Sequence, residues 1–155
     1  MRFGPSWRRS SRRNCAGPAG GALIDDAAFA VKLADVRIRA DVLEILEYRV
    51  LAVVADGGNP GADSSMLKIL ATELSQDITE LALEAAGPRG RVYQPHATLP
   101  GGPVSEFIPP TDDYVSGEPW QAVAPLHYFN DRAGSIYAGS NEIQRNILAK
   151  ATLGL

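Results

Sequence analysis

Ser135-Ile136-Tyr137-Ala138-Gly139-Ser140-Asn141-Glu142-Ile143-Gln144-Arg145-Asn146-Ile147-Leu148-Ala149-Lys150 is the stretch on which the reading of this chain turns. Gly139-Ser140 is a turn signal, and the Ser140 hydroxyl is the natural acceptor for the free N–H groups that open a helix. Glu142 in the first turn suits the positive end of the helix dipole, and the same free N–H groups form a ready anion site. Beyond them Ile143, Ile147 and Leu148 share one face, and Gly154 supplies a stop. A helix near residues 140–153, entered through a tight turn, is therefore predicted.

Working back from this helix, the chain carries two longer ones. Asp25 or Asp26 can cap a helix near 27–55, along which Leu33, Val36, Ala40, Leu43, Leu46, Val50 and Val54 recur at three- and four-residue steps. Asp56-Gly57-Gly58-Asn59-Pro60-Gly61 ends it, because glycine accepts the left-handed C-cap conformation and proline cannot continue a helix. Asp63 is predicted to cap the next helix, near 63–86, through Met66, Ile69, Leu70, Leu74, Ile78, Leu81 and Ala85 to a stop at Gly87-Pro88. A short loop between two long helices predicts an antiparallel pair that buries its stripe against further helices. From Arg89 to Pro125 the prolines at 95, 100, 103, 109, 110, 119 and 125 predict an extended crossing, followed by a short helix around Leu126–Ala133. Neither an internal repeat nor strand-like alternation is present, so the fold class is all-α.

Composition narrows the function. The 155 residues carry a formal net charge of −3, which argues against a nucleic-acid or membrane-surface protein. Arg2, Arg8, Arg9, Arg12 and Arg13 gather in residues 1–24, a segment with no apolar periodicity that reads as a disordered basic leader ahead of one helical domain over 25–155. Foreign in composition to the rest, it could have been acquired when the gene lost its upstream part. The paired arginines lack the apolar segment of an export signal, and no run approaches the ~18 apolar residues that cross a bilayer. The single Cys15 cannot form an internal disulfide, and His96 and His127 have no Cys, Asp or Glu at metal-ligand spacing. A cytoplasmic protein without a metal site is the expectation.

The Ser135–Lys150 stretch resembles the C-terminal signature of the flavin-dependent acyl-CoA dehydrogenases, roughly Ile-Tyr-(Glu/Gly/Ala)-Gly-(Thr/Ser)-x-(Glu/Gln)-Ile-Gln-Arg. Ser65-Met66-Leu67-Lys68, Leu74-Ser75-Gln76 and Glu80-Leu81 resemble the bacterial large-subunit branch similar to pimeloyl-CoA dehydrogenase. The resemblance runs from the first long helix to the end. It implies an incomplete four-helix bundle, lacking the β-domain that covers the flavin and the bundle's first helix.

The resemblance also implies a chemistry: a carboxylate removes the α-proton of an acyl-CoA thioester while the β-hydride passes to FAD. The α-proton is weakly acidic, so a base within hydrogen-bond reach and donors aimed at the carbonyl oxygen are both required. Many family members carry the base where this chain has Ala138, and a methyl group takes no proton. The catalytic set is therefore empty at that position. The backbone N–H of 138 keeps its implied role as a carbonyl donor, making Tyr137, Ala138 and Gly139 the substrate-side candidates. Ser140 and Glu142 occupy positions that approach the FAD of a neighbouring subunit. Glu84 and Gly87 stand where relatives have Gln-x-x-Gly-Gly-x-Gly against the adenine half of FAD. There Glu84-Ala85-Ala86-Gly87-Pro88-Arg89-Gly90 departs from the pattern, and a carboxylate near a pyrophosphate repels it.

Two classes of function follow. One is the C-terminal bundle of an acyl-CoA dehydrogenase, truncated, inactive alone and completed by another polypeptide. The other is a non-catalytic helical oligomerisation module or decayed structural partner of a complete dehydrogenase. A basic-tailed nucleic-acid binder is a third class, disfavoured because only Phe3 and Trp7 interleave the arginines. Trp120, Tyr128 and Phe129 are read as packing anchors ahead of acyl-pocket residues. Loss of a neighbouring helix is expected to leave Leu33, Val36, Leu43 and Val50 exposed, predicting a homo-oligomer or a complex with a complete dehydrogenase subunit.

Overall fold

The computed structural model of the protein describes residues 21–97 and 115–154. Residues 1–20, 98–114 and 155 lie outside them, so most of the leader and the middle of the proline-rich crossing are not among the described residues. Four α-helices make up the fold: α1 (Ala27–Ala55), α2 (Ala62–Ala86), α3 (Pro119–Asp131) and α4 (Asn141–Leu153). No β-strand occurs among the described residues, and the all-α expectation is borne out.

α1 starts where Asp26 accepts a hydrogen bond from the Ala28 N–H at 2.9 Å, relieving one free donor of the first turn. It stops where Gly57 takes a φ of 76°, and the Asn59 side chain receives the Gly61 N–H at 2.9 Å to shape the turn. Asp63 does not cap α2. The cap residue is Gly61, entered at a φ of 52° that would strain an L residue, and Asp63 lies inside the first turn facing the helix dipole. α2 ends as predicted, with Gly87 at a φ of 59° returning its N–H to the last-turn carbonyls of Leu83 and Glu84.

Ion pairs fix the direction of the first two helices. Lys32 meets Glu84 at 2.8 Å and Arg39 meets Asp77, so residue numbers rise along α1 as they fall along α2, the antiparallel arrangement expected. α3 also runs antiparallel to α2: Gln121 at its start donates to the Ala86 carbonyl at 3.3 Å, and Gln76 donates to the Asp131 carbonyl near its end at 3.0 Å. α4 docks by its first turns, Asn141 against Lys68 and Thr72, and Arg145 against Glu73. α1, α3 and α4 thus each pack chiefly on α2. The core between them is thin, with Phe29, Leu46, Ile69, Leu74, Leu81, Ala122 and Leu126 its main buried apolar members.

Three expectations are corrected. The short helix around Leu126–Ala133 is instead α3, which begins at Pro119 and gives way to a 3-10 turn over Arg132–Ser135. Pro119 sits at a helix start, where its missing N–H is not needed, and Gln121 caps the turn by accepting the Glu118 N–H at 2.9 Å. Pro125 inside the helix costs about 3 kcal/mol; burial of Ala122, Ala124, Pro125 and Leu126 against α2 offsets it. Secondly, Phe129 is no packing anchor, being 59% exposed. Thirdly, the uncovered stripe of α1 is not the predicted one. Leu33, Val36, Leu43 and Val50 are half-buried toward α2, while Val31, Ile38, Val42 and Ile45 on the opposite face stand in solvent. Val54, read as part of the inner stripe, is also exposed.

Candidate functional site at the entry to the terminal helix

The path into α4 is set by a few backbone bonds. Ile136 and Tyr137 both return their N–H groups to the Ala133 carbonyl, at 2.9 and 3.1 Å. The chain then reverses through Ala138 at a φ of 56° and Gly139 at 85°. Ala138 is the one non-glycine residue with positive φ among the described residues, a conformation costing about 1–2 kcal/mol for an L side chain. Gly139 is favoured by its positive φ; a Cβ there would meet only the movable end of the Gln144 side chain, at 2.7 Å.

Ser140 then caps α4, accepting the Ile143 N–H at 3.4 Å as predicted. Glu142 is fully exposed, and its carboxyl is held below the usual range by its own backbone N–H, then by the Ser140 hydroxyl, with smaller help from Arg145 and Lys68. A carboxylate thus already stands at the helix opening that looked like a ready anion site.

Beneath this turn lies a polar cluster that sequence reasoning missed. Asn141 is almost wholly buried, and its Oδ1 accepts from the Lys68 ammonium at 2.6 Å and the Thr72 hydroxyl at 3.1 Å. Thr72 is itself tied to the Lys68 and Ile69 carbonyls. The signal was present in Ser65-Met66-Leu67-Lys68, a lysine on the inner side of a long helix with no acid at helical spacing. Within the sequence of the turn and the first helical turn, residues 136–144, Glu142 is the one carboxylate, and Tyr137 is exposed.

The second candidate group lies at the far end of α2. Both carboxylate oxygens of Glu84 accept from the Lys32 ammonium at 2.8 Å. Gly87 is the C-cap, and Gly90 is pressed so close that a Cβ would sit 2.8 Å from that of Ala86. These residues border an open cleft of about 530 Å³ with Arg91, Tyr93, Tyr128 and Phe129, in which the Tyr93 and Phe129 rings meet edge-on at 5.9 Å. Tyr128 packs under the Arg132 guanidinium at 4.4 Å. Glu84 and Gly87 stand about 20 Å along α2 from Lys68 and Thr72, at 1.5 Å per residue. The structure does not bring the two candidate groups together within one chain.

The family "Acyl-CoA dehydrogenase, C-terminal domain" matches residues 6–153, and the chain belongs to it. The resemblance read from the terminal motif is borne out. The chain is 35% identical over 96 residues to the acyl-CoA dehydrogenase IpdE1 of Mycobacterium tuberculosis, covering 62% of this chain and 19% of that protein. To IpdE1 of Mycolicibacterium smegmatis it is 34% identical over 113 residues, covering 73% and 22%. The acyl-CoA dehydrogenase FadE26 of M. tuberculosis aligns over 155 residues at 28% identity, 33% of its length. Among solved structures, the ChsE4-ChsE5 complex from M. tuberculosis shares the fold, with a TM-score of 0.66 at 23% identity over 96% of this chain and 33% of that one. The chain spans about one fifth to one third of the length of these relatives.

Each cofactor-side candidate has a structural role of its own among the described residues. Ser140 caps the helix, Glu142 stands in its first turn where the dipole favours a carboxylate, Glu84 is in an ion pair and Gly87 in a helix stop. No buried side-chain polar atom among the described residues lacks a partner. Nor do the described residues contain a cluster of potential metal ligands, or a helix long and apolar enough to cross a membrane.

Proposed function

We propose that this chain supplies the C-terminal helical bundle to an FAD-dependent α,β-dehydrogenation of an acyl-CoA thioester, as a truncated polypeptide, inactive alone, whose flavin site another polypeptide completes. The observation that carries the reading is the Tyr137–Ser140 turn: a strained Ala138 with a methyl group in place of a carboxylate, immediately ahead of a capped helix. In that reading the Ala138 N–H is a donor to the thioester carbonyl, with Tyr137 and Gly139 shaping its surroundings. Ser140 and Glu142 face the cofactor of an adjacent subunit in the same assembly. Glu84 and Gly87, held by Lys32 and by the helix stop, make a weaker contact with its adenine half. FAD supplies the hydride acceptor, and the base comes from elsewhere in the assembly. The setting is the cytoplasm.

A second reading, a non-catalytic oligomerisation module, is favoured by the uncovered outer face of α1. One experiment separates the two. The purified chain is expected to be colourless and inactive toward acyl-CoA substrates, with Ala138→Glu giving no rescue. Adding a flavin-loaded complete acyl-CoA dehydrogenase subunit from the same source should produce a complex whose flavin spectrum responds to acyl-CoA differently from that of the subunit alone. A complex with an unchanged spectrum leaves only the structural role, and FAD copurifying with the isolated chain refutes the claim that its site is completed by another polypeptide.

A further inference from the structure

We propose that the arginine-rich stretch of residues 1–20 docks back along the groove between α1 and α2 of its own chain, with Arg12 and Arg13 seated between Asp35 and Glu80. The groove is open, about 460 Å³ in volume, and lined by the apolar Val31, Val36 and Leu81 together with charged side chains of both helices. Lys32–Glu84 and Arg39–Asp77 bridge it at two levels. These pairs set the register of the two helices, which brings Asp35 and Val36 level with Glu80 and Leu81, midway between the bridges.

Two carboxylates thus share the middle of the groove without a cation of their own. Glu80 is exposed and has no ion-pair or hydrogen-bond partner among the described residues. Asp35 reaches only Arg39, at 3.6 Å, and Arg39 is already given over to Asp77. Like charges held level with each other repel, and a cation between them relieves both. No group of acids among the described residues converges closely enough to hold a metal ion. A guanidinium suits the gap better, because its flat fork of five donors can be shared between two separate carboxylates.

The chain carries such cations next to the right end of the groove. Residues 1–20 contain Arg2, Arg8, Arg9, Arg12 and Arg13 and no Asp or Glu, with Phe3 and Trp7 to meet an apolar lining. They lead directly into the start of α1, and the groove opens at Val31, about one turn into that helix. Asp35 lies about 12 Å along α1 from Ala27, whereas the stretch from Arg13 to Ala27 can span up to about 45 Å. Reach is therefore no obstacle. Exposed ion pairs are individually weak, but the tether holds the arginines at an effective concentration on the order of millimolar. The docked stretch adds a third bridge between α1 and α2, supplied from outside both helices.

The test labels the full chain with a nitroxide at Cys15, its single thiol, two residues past Arg13. In electron paramagnetic resonance the label of the wild-type chain should tumble at least about threefold more slowly than that of the Asp35→Lys, Glu80→Lys double variant. Adding Arg12→Glu and Arg13→Glu to that variant should restore slow tumbling, since the exchanged charges again match. Glu44→Lys, the same charge change half-way round α1 from Asp35, should leave the label slow. Salt at about 0.5 M, where the Debye length falls to about 4 Å, should free it. Circular dichroism of each variant confirms that α1 and α2 are still folded. A label as mobile in the wild-type chain as in the double variant overturns the docking, and so does a charge exchange that restores nothing. Release by Glu44→Lys as complete as by the double variant overturns it too. Slow tumbling that disappears on dilution, or on removal of a copurifying protein, gives the groove to a second copy or to that protein and refutes docking within one chain. The docking does not rest on the dehydrogenation reading, and either can fail alone.

Discussion

Asn141→Ala should uncouple the terminal helix from α2. The side chain is 3% exposed and its Oδ1 takes two hydrogen bonds, one from the Lys68 ammonium at 2.6 Å and one from the Thr72 hydroxyl at 3.1 Å. A hydrogen bond to a charged group contributes about 1.5–3 kcal/mol and a neutral one about 1 kcal/mol. Thr72 loses little, because the Lys68 and Ile69 carbonyls at 2.9 and 3.0 Å remain to it. Lys68 is half-buried and regains part of its loss from water, so a net destabilisation of about 2 kcal/mol is expected. For a domain of this size that corresponds to a fall in Tm of roughly 6–10 °C. Urea denaturation followed by circular dichroism measures it, and a double-mutant cycle with Lys68→Met assigns it to the pair. Coupling of at least about 1 kcal/mol is predicted. Asn141→Asp should keep the stability, since a carboxylate accepts from Lys68 and suits the first turn of α4. A loss under about 0.5 kcal/mol, or additive effects of Asn141→Ala and Lys68→Met, refutes the anchoring role.

Ala138→Gly should stabilise the chain by up to about 1 kcal/mol, because glycine adopts the positive φ without the Cβ clash, whereas Ala138→Val should destabilise it; thermal melts of the two variants must move in opposite directions. Asp26→Ala removes the α1 cap and should cost about 1 kcal/mol in urea unfolding, most of it restored by Asp26→Ser. Leu74→Ala, in the most buried part of α2, should cost about 2–5 kcal/mol, measured the same way; a smaller loss would show that the thin core closes around the gap. Glu142 has a lowered carboxyl pKa, so its contribution is present above the ordinary glutamate range and fades as the pH falls through its folded-state value. Glu142→Gln should flatten that acid-side decline in stability, and an unchanged slope contradicts the capping geometry.

Helix positions were legible because Gly-Pro loops and capping residues act locally. Asp26, Gly57, Gly87, Ser140 and Gly154 do what their neighbours in sequence dictate. α3 was shortened in the reading because Pro125 was weighed by its local cost, while what retains it is burial against α2, a tertiary effect with no signature at Pro125 itself. The two faces of α1 were confused for a related reason: both carry three- and four-residue apolar spacing, and only the position of α2 decides which is inner. At the site, Ala138 was found from the motif, yet its positive φ and the Lys68–Asn141 contact beneath it were not. The contact joins residues far apart in the chain, and periodicity reports only on near ones.

A last consequence follows from the arrangement of three helices about α2. Because α1, α3 and α4 touch α2 and scarcely one another, the loss of any one need not loosen the other two, while the loss of α2 releases all three. Amide exchange should therefore resolve into separate partial openings, with α4 exchanging first, since Asn141 is its one buried residue, and α2 exchanging only in global unfolding. Sequence drift should follow the same hierarchy: changes on α4 remain local events, whereas a change on α2 is felt by three partners at once.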